Sequence, residues 1–231
     1  MYVKKATRFF IVLIGALCLF TSHYMISDAN PPETYGAEAI YANAEKALFY
    51  VRAFREDGTL KDVGTGFVVG EDGTALTAYH VIGGADRITC VRNDGSIEEN
   101  CRVVSQDETT DTAVLKFPQD KSGYEPEGGY AYINLRTSKV KHGEKVFAIG
   151  YPMKDTKIIT EGIVNSPRAN INGRDRILVS SQIVNGMSGG PILDKYGHVT
   201  GLISGSLRTM NNIHLVVNME DIDKVMDKYS N

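Results

Sequence analysis

From Leu48 onward the chain is a succession of short runs rich in β-branched and aromatic residues, each ended by turn residues before a long helix has room to form. The first group is LFYVRAF (48–54), TGFVVG (65–70), ALTAYHVI (75–82), RITCVR (87–92), CRVVS (101–105) and TAVLKF (112–117). After a looser stretch rich in Gly, Pro and Tyr (118–130), a second group follows. It comprises AYINL (131–135), KVFAIGY (145–151), IITEGIVNS (158–166), RILVSSQI (176–183), GPILDKYGHVTGLISGSL (190–207) and HLVVNM (214–219). Asp57-Gly58, Asp72-Gly73, Asp94-Gly95, Asn172-Gly173 and Tyr196-Gly197 punctuate these runs, and glycine in such pairs accepts the positive φ that tight turns need. Two groups of about six strands at this spacing predict an all-β, antiparallel chain of two small barrels or sandwiches, over 47–120 and 130–217, rather than a parallel α/β sheet.

The ends of the chain read differently. Residues 30–46 form a polar, Pro-containing linker that passes into an Ala-rich segment suited to a short helix. At the other end Asn218 is a helix cap, with Asp221 three residues on. Ile222, Val225, Met226 and Tyr229 then make one apolar stripe. The expectation is a C-terminal helix over 218–231, packed on the second barrel.

Lys4, Lys5 and Arg8 precede an unbroken apolar run from Phe9 to Phe20. That is the layout of a secretory signal peptide. As a helix the run spans about 18 Å, short of the roughly 30 Å hydrocarbon core. Ser27-Asp28-Ala29 offers the small residues a signal peptidase reads, so residues 1–29 are expected to be removed before Asn30. Extension through Tyr24-Met25-Ile26 into an uncleaved, outward-facing membrane anchor is the alternative. Leu17 ahead of Cys18 argues against a lipoprotein site. Losing three basic residues and one acid takes the net charge from −3 to −5. This excludes the basic face a nucleic-acid binder needs, and the destination is extracytoplasmic, periplasmic or secreted.

Export also changes the reading of the cysteines. Cys90 and Cys101 flank the hairpin signal Asn93-Asp94-Gly95-Ser96. A turn centred between Gly95 and Ser96 sets them opposite each other, as a disulfide in an oxidising compartment or as two buried thiols on neighbouring strands. Without Cys-x-x-Cys, and with the five His residues scattered, no metal site and no cofactor are expected.

Three segments carry chemistry. Gly186-Met187-Ser188-Gly189-Gly190-Pro191 sets a hydroxyl among glycines, where a tight bend turns the amides of Gly186 and Ser188 toward one point; the plainer reading is a Gly-rich turn with an incidental serine. Thr77-Ala78-Tyr79-His80-Val81-Ile82 supplies a base at the end of a strand, against the commoner packed histidine. Thr110-Asp111-Thr112-Ala113-Val114-Leu115 supplies an acid at the start of a strand, against a plain turn aspartate, with Asp107 as competitor. Together they make a nucleophile, a base and an acid that orients the base. Their order, His80, Asp111, Ser188, differs from that of the α/β-hydrolases and of subtilisin.

Over roughly residues 47–217 the chain resembles the chymotrypsin-fold serine proteases, and among them the trypsin-like catalytic domain of the bacterial HtrA/Deg group. The resemblance lies in GTGFVVGEDGTALTAYHVI (64–82), RITCVRNDGSIEENCRVVSQDETTDTAVLKF (87–117), INLRTSKVKHGEKVFAIGYP (133–152), TEGIVNS (160–166) and SSQIVNGMSGGPILDKYGHVTGLIS (180–204). It implies two six-stranded β-barrels with the site in the cleft between them, the first supplying His80 and Asp111 and the second Ser188. It also implies a pocket floor near Gln182, where no acid stands to favour Lys or Arg, and a pocket border at Ser204 that supports the catalytic acid. Small or apolar side chains are the expected preference.

The departures are informative. Met187 stands where trypsin-type zymogens carry an acid that pairs with a newly cut N-terminus. Val184-Asn185 replaces the Asn-Pro of many HtrA proteins, a change that bears on whether the oxyanion hole is formed at rest. Only 43 residues follow Ser188, so no PDZ domain is expected. The resulting expectation is an exported serine endopeptidase acting on protein or peptide substrates. It touches a membrane only if the N-terminal segment stays uncleaved, and its oligomeric state is left open, although HtrA relatives often trimerise. The contrasting class is an inactive peptide-binding or chaperone-like module on the same fold.

Overall fold

The structure is a computed structural model that describes residues 34–99, 101–118, 129–207 and 209–230. The signal segment 1–29 and the first part of the linker lie outside the described residues. The remaining linker becomes helix α1 (Ala37–Ala44) and a single 3-10 turn, with Ile40 and Ala44 buried.

Thirteen strands follow among the described residues. β1 (Leu48–Phe54), β2 (Leu60–Val68), β3 (Thr74–Thr77), β4 (Arg87–Arg92), β5 (Ile97–Glu98), β6 (Arg102–Asp107) and β7 (Thr112–Lys116) form one antiparallel sheet, ordered β5-β4-β1-β2-β3-β7-β6. β8 (Lys145–Met153), β9 (Thr156–Ile171), β10 (Arg174–Val179), β11 (Pro191–Asp194), β12 (Val199–Ser206) and β13 (His214–Asn218) close a six-stranded barrel. The expected all-β architecture, with its chymotrypsin-like pairing of two β units and a terminal helix, is therefore present. The five turn glycines, Gly58, Gly73, Gly95, Gly173 and Gly197, all have positive φ.

The first sheet differs from a closed six-stranded barrel. Among the described residues its end strands β5 and β6 share no hydrogen-bonded ladder, and the seam is bridged covalently by the Cys90–Cys101 disulfide, with Cα atoms 6.2 Å apart. The predicted register was off: Cys90 pairs with Glu98 and Val91 with Ile97, which centres the turn on Asp94. The chain tightens there because Arg92 N–H already bonds Ser96 O at 2.8 Å and the Asp94 carboxylate caps Ser96 N–H. Cys101 thus lies beyond the two-residue β5, where the chain turns into β6, and meets Cys90 across the seam.

AYINL forms no strand. Leu135 makes a single bridge to Val199, and the segment instead runs between the sheets, with Ile133 N–H on Val68 O and Val199 N–H on Asn134 O. Helix α3 (Met219–Ser230) is capped as expected, Asp221 N–H donating to Asn218 Oδ1 at 2.9 Å. It packs largely on the first sheet rather than on the barrel. Ile222 and Val225 are fully buried in the larger core cluster, and Ser105 Oγ of β6 donates to Val225 O at 2.7 Å. Tyr229 ends the stripe exposed. Covering β6 in this way shields an open sheet edge from pairing with another chain.

Candidate active site

His80 is carried not by a strand but by the one-turn helix α2 (Tyr79–Ile82), which starts where β3 ends. The turn before β7 brings Asp111 beneath it. Asp107 shapes that turn, its carboxylate accepting Thr110 N–H at 3.0 Å, while its other oxygen pairs with Lys228. The competing aspartate is therefore a turn former, and Lys228 with the Thr110 amide holds its carboxyl below the usual range. Asp111 itself adopts φ +62, a left-handed conformation that Asp tolerates. Its backbone carbonyl accepts Tyr79 N–H, and its Oδ1 accepts His80 N–H at 3.0 Å.

Both carboxylate oxygens then lie 3.0 Å from His80 Nδ1. Asp111 is only 5% exposed, and Ser204 Oγ donates to its Oδ2 at 2.5 Å. A carboxylate placed this way orients the imidazole with its proton on Nδ1, leaving Nε2 as the base. The His80 side chain is 43% exposed, so Nε2 has access to the cleft. Burial disfavours the imidazolium, but the Asp111 hydrogen bond and charge outweigh it and raise the His80 pKa above its ordinary value.

The segment around Ser188 is held by backbone contacts from both sheets. Val184-Asn185-Gly186-Met187 closes as a turn, with Met187 N–H on Val184 O at 3.1 Å. Gly186 takes φ +90, which makes the turn type II. A Cβ there would sit 2.4 Å from Tyr151 O, so only glycine fits. Gly189 N–H donates to Ile203 O, Ile203 N–H to Gly190 O, and Thr65 N–H to Ser188 O at 2.8 Å. A Cβ on Gly189 would meet Ala78 N at 2.7 Å, two residues before His80. The loop thus lies directly against the β3–α2 junction. Ser188 is partly exposed and makes no hydrogen bond to His80 among the described residues; a nucleophile–base contact of this kind commonly tightens in the substrate complex. The amides of Gly186 and Ser188 have no backbone partner among the described residues.

Two residues unmarked in the sequence organise this arrangement. Thr65, fully buried on β2, donates from Oγ1 to Gly186 O at 2.8 Å and accepts Tyr151 N–H at 2.8 Å. Arg176, 3% exposed on β10, donates to Thr110 O at 3.2 Å, next to Asp111. Burial lowers its pKa, and the Asp111 charge opposes that shift. The signal for Thr65 was its place between Gly64 and Gly66; Arg176 had none beyond being charged in an apolar strand.

Of the pocket residues, Ser204 reaches Asp111, whereas Gln182 stands exposed and its backbone carbonyl accepts Thr160 Oγ1. Two buried polar groups lie nearby, Ser181, whose Oγ donates to Val146 O, and His214, which meets the Ile183 amide. Met187 is fully buried in the barrel core. Among the described residues no His, Cys, Asp and Glu side chains group as metal ligands, and no helix is long and apolar enough to cross a membrane.

The chain is similar to several known proteins. The chain is 31% identical over 180 residues to serine endoprotease DegS of Escherichia coli K12, covering 73% of this chain and 48% of that protein. It is 34% identical over 143 residues to a probable periplasmic serine endoprotease, DegP-like, of Brucella suis, covering 60% and 26%. It spans between about a quarter and a half of the length of such relatives. The crystal structure of a serine endoprotease from Yersinia pestis superposes with a TM-score of 0.71 at 25% identity, covering 85% of this chain and 67% of that one. Residues 64–202, which run from the strand before His80 to the strand beyond Ser188, match the trypsin-like peptidase domain, and the chain belongs to that family.

Proposed function

We propose that this protein is an exported serine endopeptidase that hydrolyses peptide bonds through an acyl-enzyme. The observation that carries the reading is the Asp111 carboxylate, buried and bridging His80 Nδ1 and Ser204 Oγ, beside a loop that sets Ser188 against the His80 helix. Ser188 Oγ attacks the scissile carbonyl carbon as its proton passes to His80 Nε2. The carbonyl π electrons move to oxygen, and the amides of Gly186 and Ser188, which have no backbone partner among the described residues, hold the resulting anion. The imidazolium gives its proton to the leaving amine, and the C–N bond breaks. Water then enters, loses a proton to Nε2, and releases Ser188 by the same route. Asp111 favours each imidazolium stage, consistent with the raised pKa of His80.

Met187, uncharged and buried, has no means of pairing with a new N-terminus, so the loop is set without zymogen cleavage. The leader-like residues 1–29, together with the periplasmic DegP-like relative, support an extracytoplasmic location and protein or peptide substrates. Labelling with a fluorophosphonate probe tests the proposal. Wild type is expected to label and Ser188→Ala to lose the label; a folded wild type that stays unlabelled would return the protein to the binding-module class.

A further inference from the structure

The polar group at the end of the barrel core, His214, is not used by this mechanism. It is 4% exposed, and with Val216 it faces the core where Ile183 and Met187 pack beside the Ser188 loop. Both of its ring nitrogens are engaged. Ile183 N–H donates to Nε2 at 3.4 Å, so the ring proton sits on Nδ1. Nδ1–H then donates to Ser206 Oγ at 2.8 Å, across the β12–β13 pairing of Ser206 with His214. A serine hydroxyl that accepts one hydrogen bond keeps its own proton to give. Ser206 is exposed, lies two residues past the Ser204 that holds Asp111, and has open space beside it: a Cβ on Gly205 would meet no atom within 4 Å. Burial also lowers the His214 pKa, in keeping with a neutral ring.

We propose that Ser206, oriented by His214, is the selecting donor of the primary substrate pocket, and that it takes an uncharged side-chain carbonyl, that of a glutamine or asparagine. The inference rests on the endopeptidase reading for its place in a reaction, but not for its binding chemistry. The segments that the family resemblance makes the walls of this pocket, Ser180 to Val184 and Ser204 to Ser206, carry no charged side chain. A lysine or arginine would bring donors to a donor and find no anion, and a carboxylate would lose water without gaining a cation. An apolar side chain would leave the oriented hydroxyl without its partner. It stands against the small or apolar preference expected from the sequence, and the two differ in the measurement below.

The test uses the full chain and four N-acetylated pentapeptides identical except for a C-terminal Gln, Glu, Met or Lys, titrated calorimetrically. These are product-like ligands, so no bond need be cut. The Gln peptide is expected to bind about tenfold tighter than the similarly shaped Met peptide, the worth of one hydrogen bond. Ser206→Ala, at an exposed position, is expected to bring the Gln-to-Met ratio to about one. Equal or tighter binding of Met, Glu or Lys, no binding of any peptide, or a Gln preference that survives Ser206→Ala would each overturn the assignment. Casein cleavage lost on Ser188→Ala is a separate measurement, so a failure of the selectivity and a failure of the peptidase reading are told apart.

Discussion

Thr65→Val is the substitution that most directly probes how the Ser188 loop is held. Valine keeps the shape of threonine and removes only Oγ1, which donates to Gly186 O and accepts Tyr151 N–H, both at 2.8 Å. Tyr151 N–H lies past the end of the regular β8–β9 pairing, and its acceptor among the described residues is Thr65 Oγ1. Leaving it unpaired costs about 1–3 kcal/mol, or a fall in Tm of roughly 2–12 °C for a chain of this size. The Gly186 carbonyl behaves differently. It belongs to a glycine, and once it is released from Thr65 the backbone at Gly186 is free to rotate about its own φ and ψ, which loosens the hold on the Gly186 amide at the cleft. Losing one oxyanion donor lowers kcat about 10²–10³-fold. The expected result with a fluorogenic peptide is a drop of that order in kcat with KM little changed, and recovery in Thr65→Ser, which keeps the oxygen. A folded Thr65→Val enzyme with kcat within about twofold of wild type would refute the reasoning.

Two further perturbations follow from the same geometry. Asp111→Asn is expected to lower kcat about 10⁴-fold by releasing the wrong His80 tautomer. It should also move the rising limb of the pH–rate profile to lower pH, because the Asp111 hydrogen bond and charge are what raise the His80 pKa against burial. The same raised pKa stabilises the folded protein fully below the unfolded value of about 6.5 and is lost as pH rises through the folded value, so the wild-type advantage in Tm over Asp111→Asn should shrink across that window. Reducing Cys90–Cys101 opens a loop of sequence separation 11, worth about 3 kcal/mol by loop entropy. Dithiothreitol is therefore expected to lower Tm by roughly 6–12 °C while peptidase activity at 25 °C persists; an unchanged melting curve would show that the bridge does not brace the seam.

What was legible in the sequence is what local chemistry determines. β1 and β4 fall on the expected residues because β-branched and aromatic runs there end at a turn, and the turn glycines all carry the φ that requires them. His80, Asp111 and the Gly-rich loop were visible because, although each alone has a commoner structural use, together and in that order they supply a base, an acid and a nucleophile. The Cys90 register was missed because a side chain, Asp94, tightens the turn by capping Ser96, and pattern alone does not weigh that bond. AYINL alternates like a strand, yet its hydrogen bonds go to Val68 and Val199, partners remote in sequence. The same remoteness hid Arg176, Thr65 and His214. Their roles exist only after β10, β2 and β13 have been set beside Thr110, Gly186 and Ile183, 66, 121 and 31 residues away respectively.

These distant ties explain why the proposed site needs both sheets at full packing density. The Ser188 loop is not draped over the cleft; its backbone is in contact with strands on either side. A Cβ at Gly189 would stand 2.3 Å from Thr65 O on β2, and one at Gly190 would stand 2.3 Å from Ile149 O on β8. Asp111 is tied across the same joint twice, by Ser204 from β12 and, through Thr110, by the buried guanidinium of Arg176 from β10. A small relative shift of the sheets would therefore stretch the support of the acid and the support of the nucleophile together, because neither rests on one sheet alone. Close packing makes such a shift costly. The geometry that chemistry requires is maintained by the same contacts that hold the two halves of the fold together, so loosening the joint is expected to appear as lost turnover and lost stability at once.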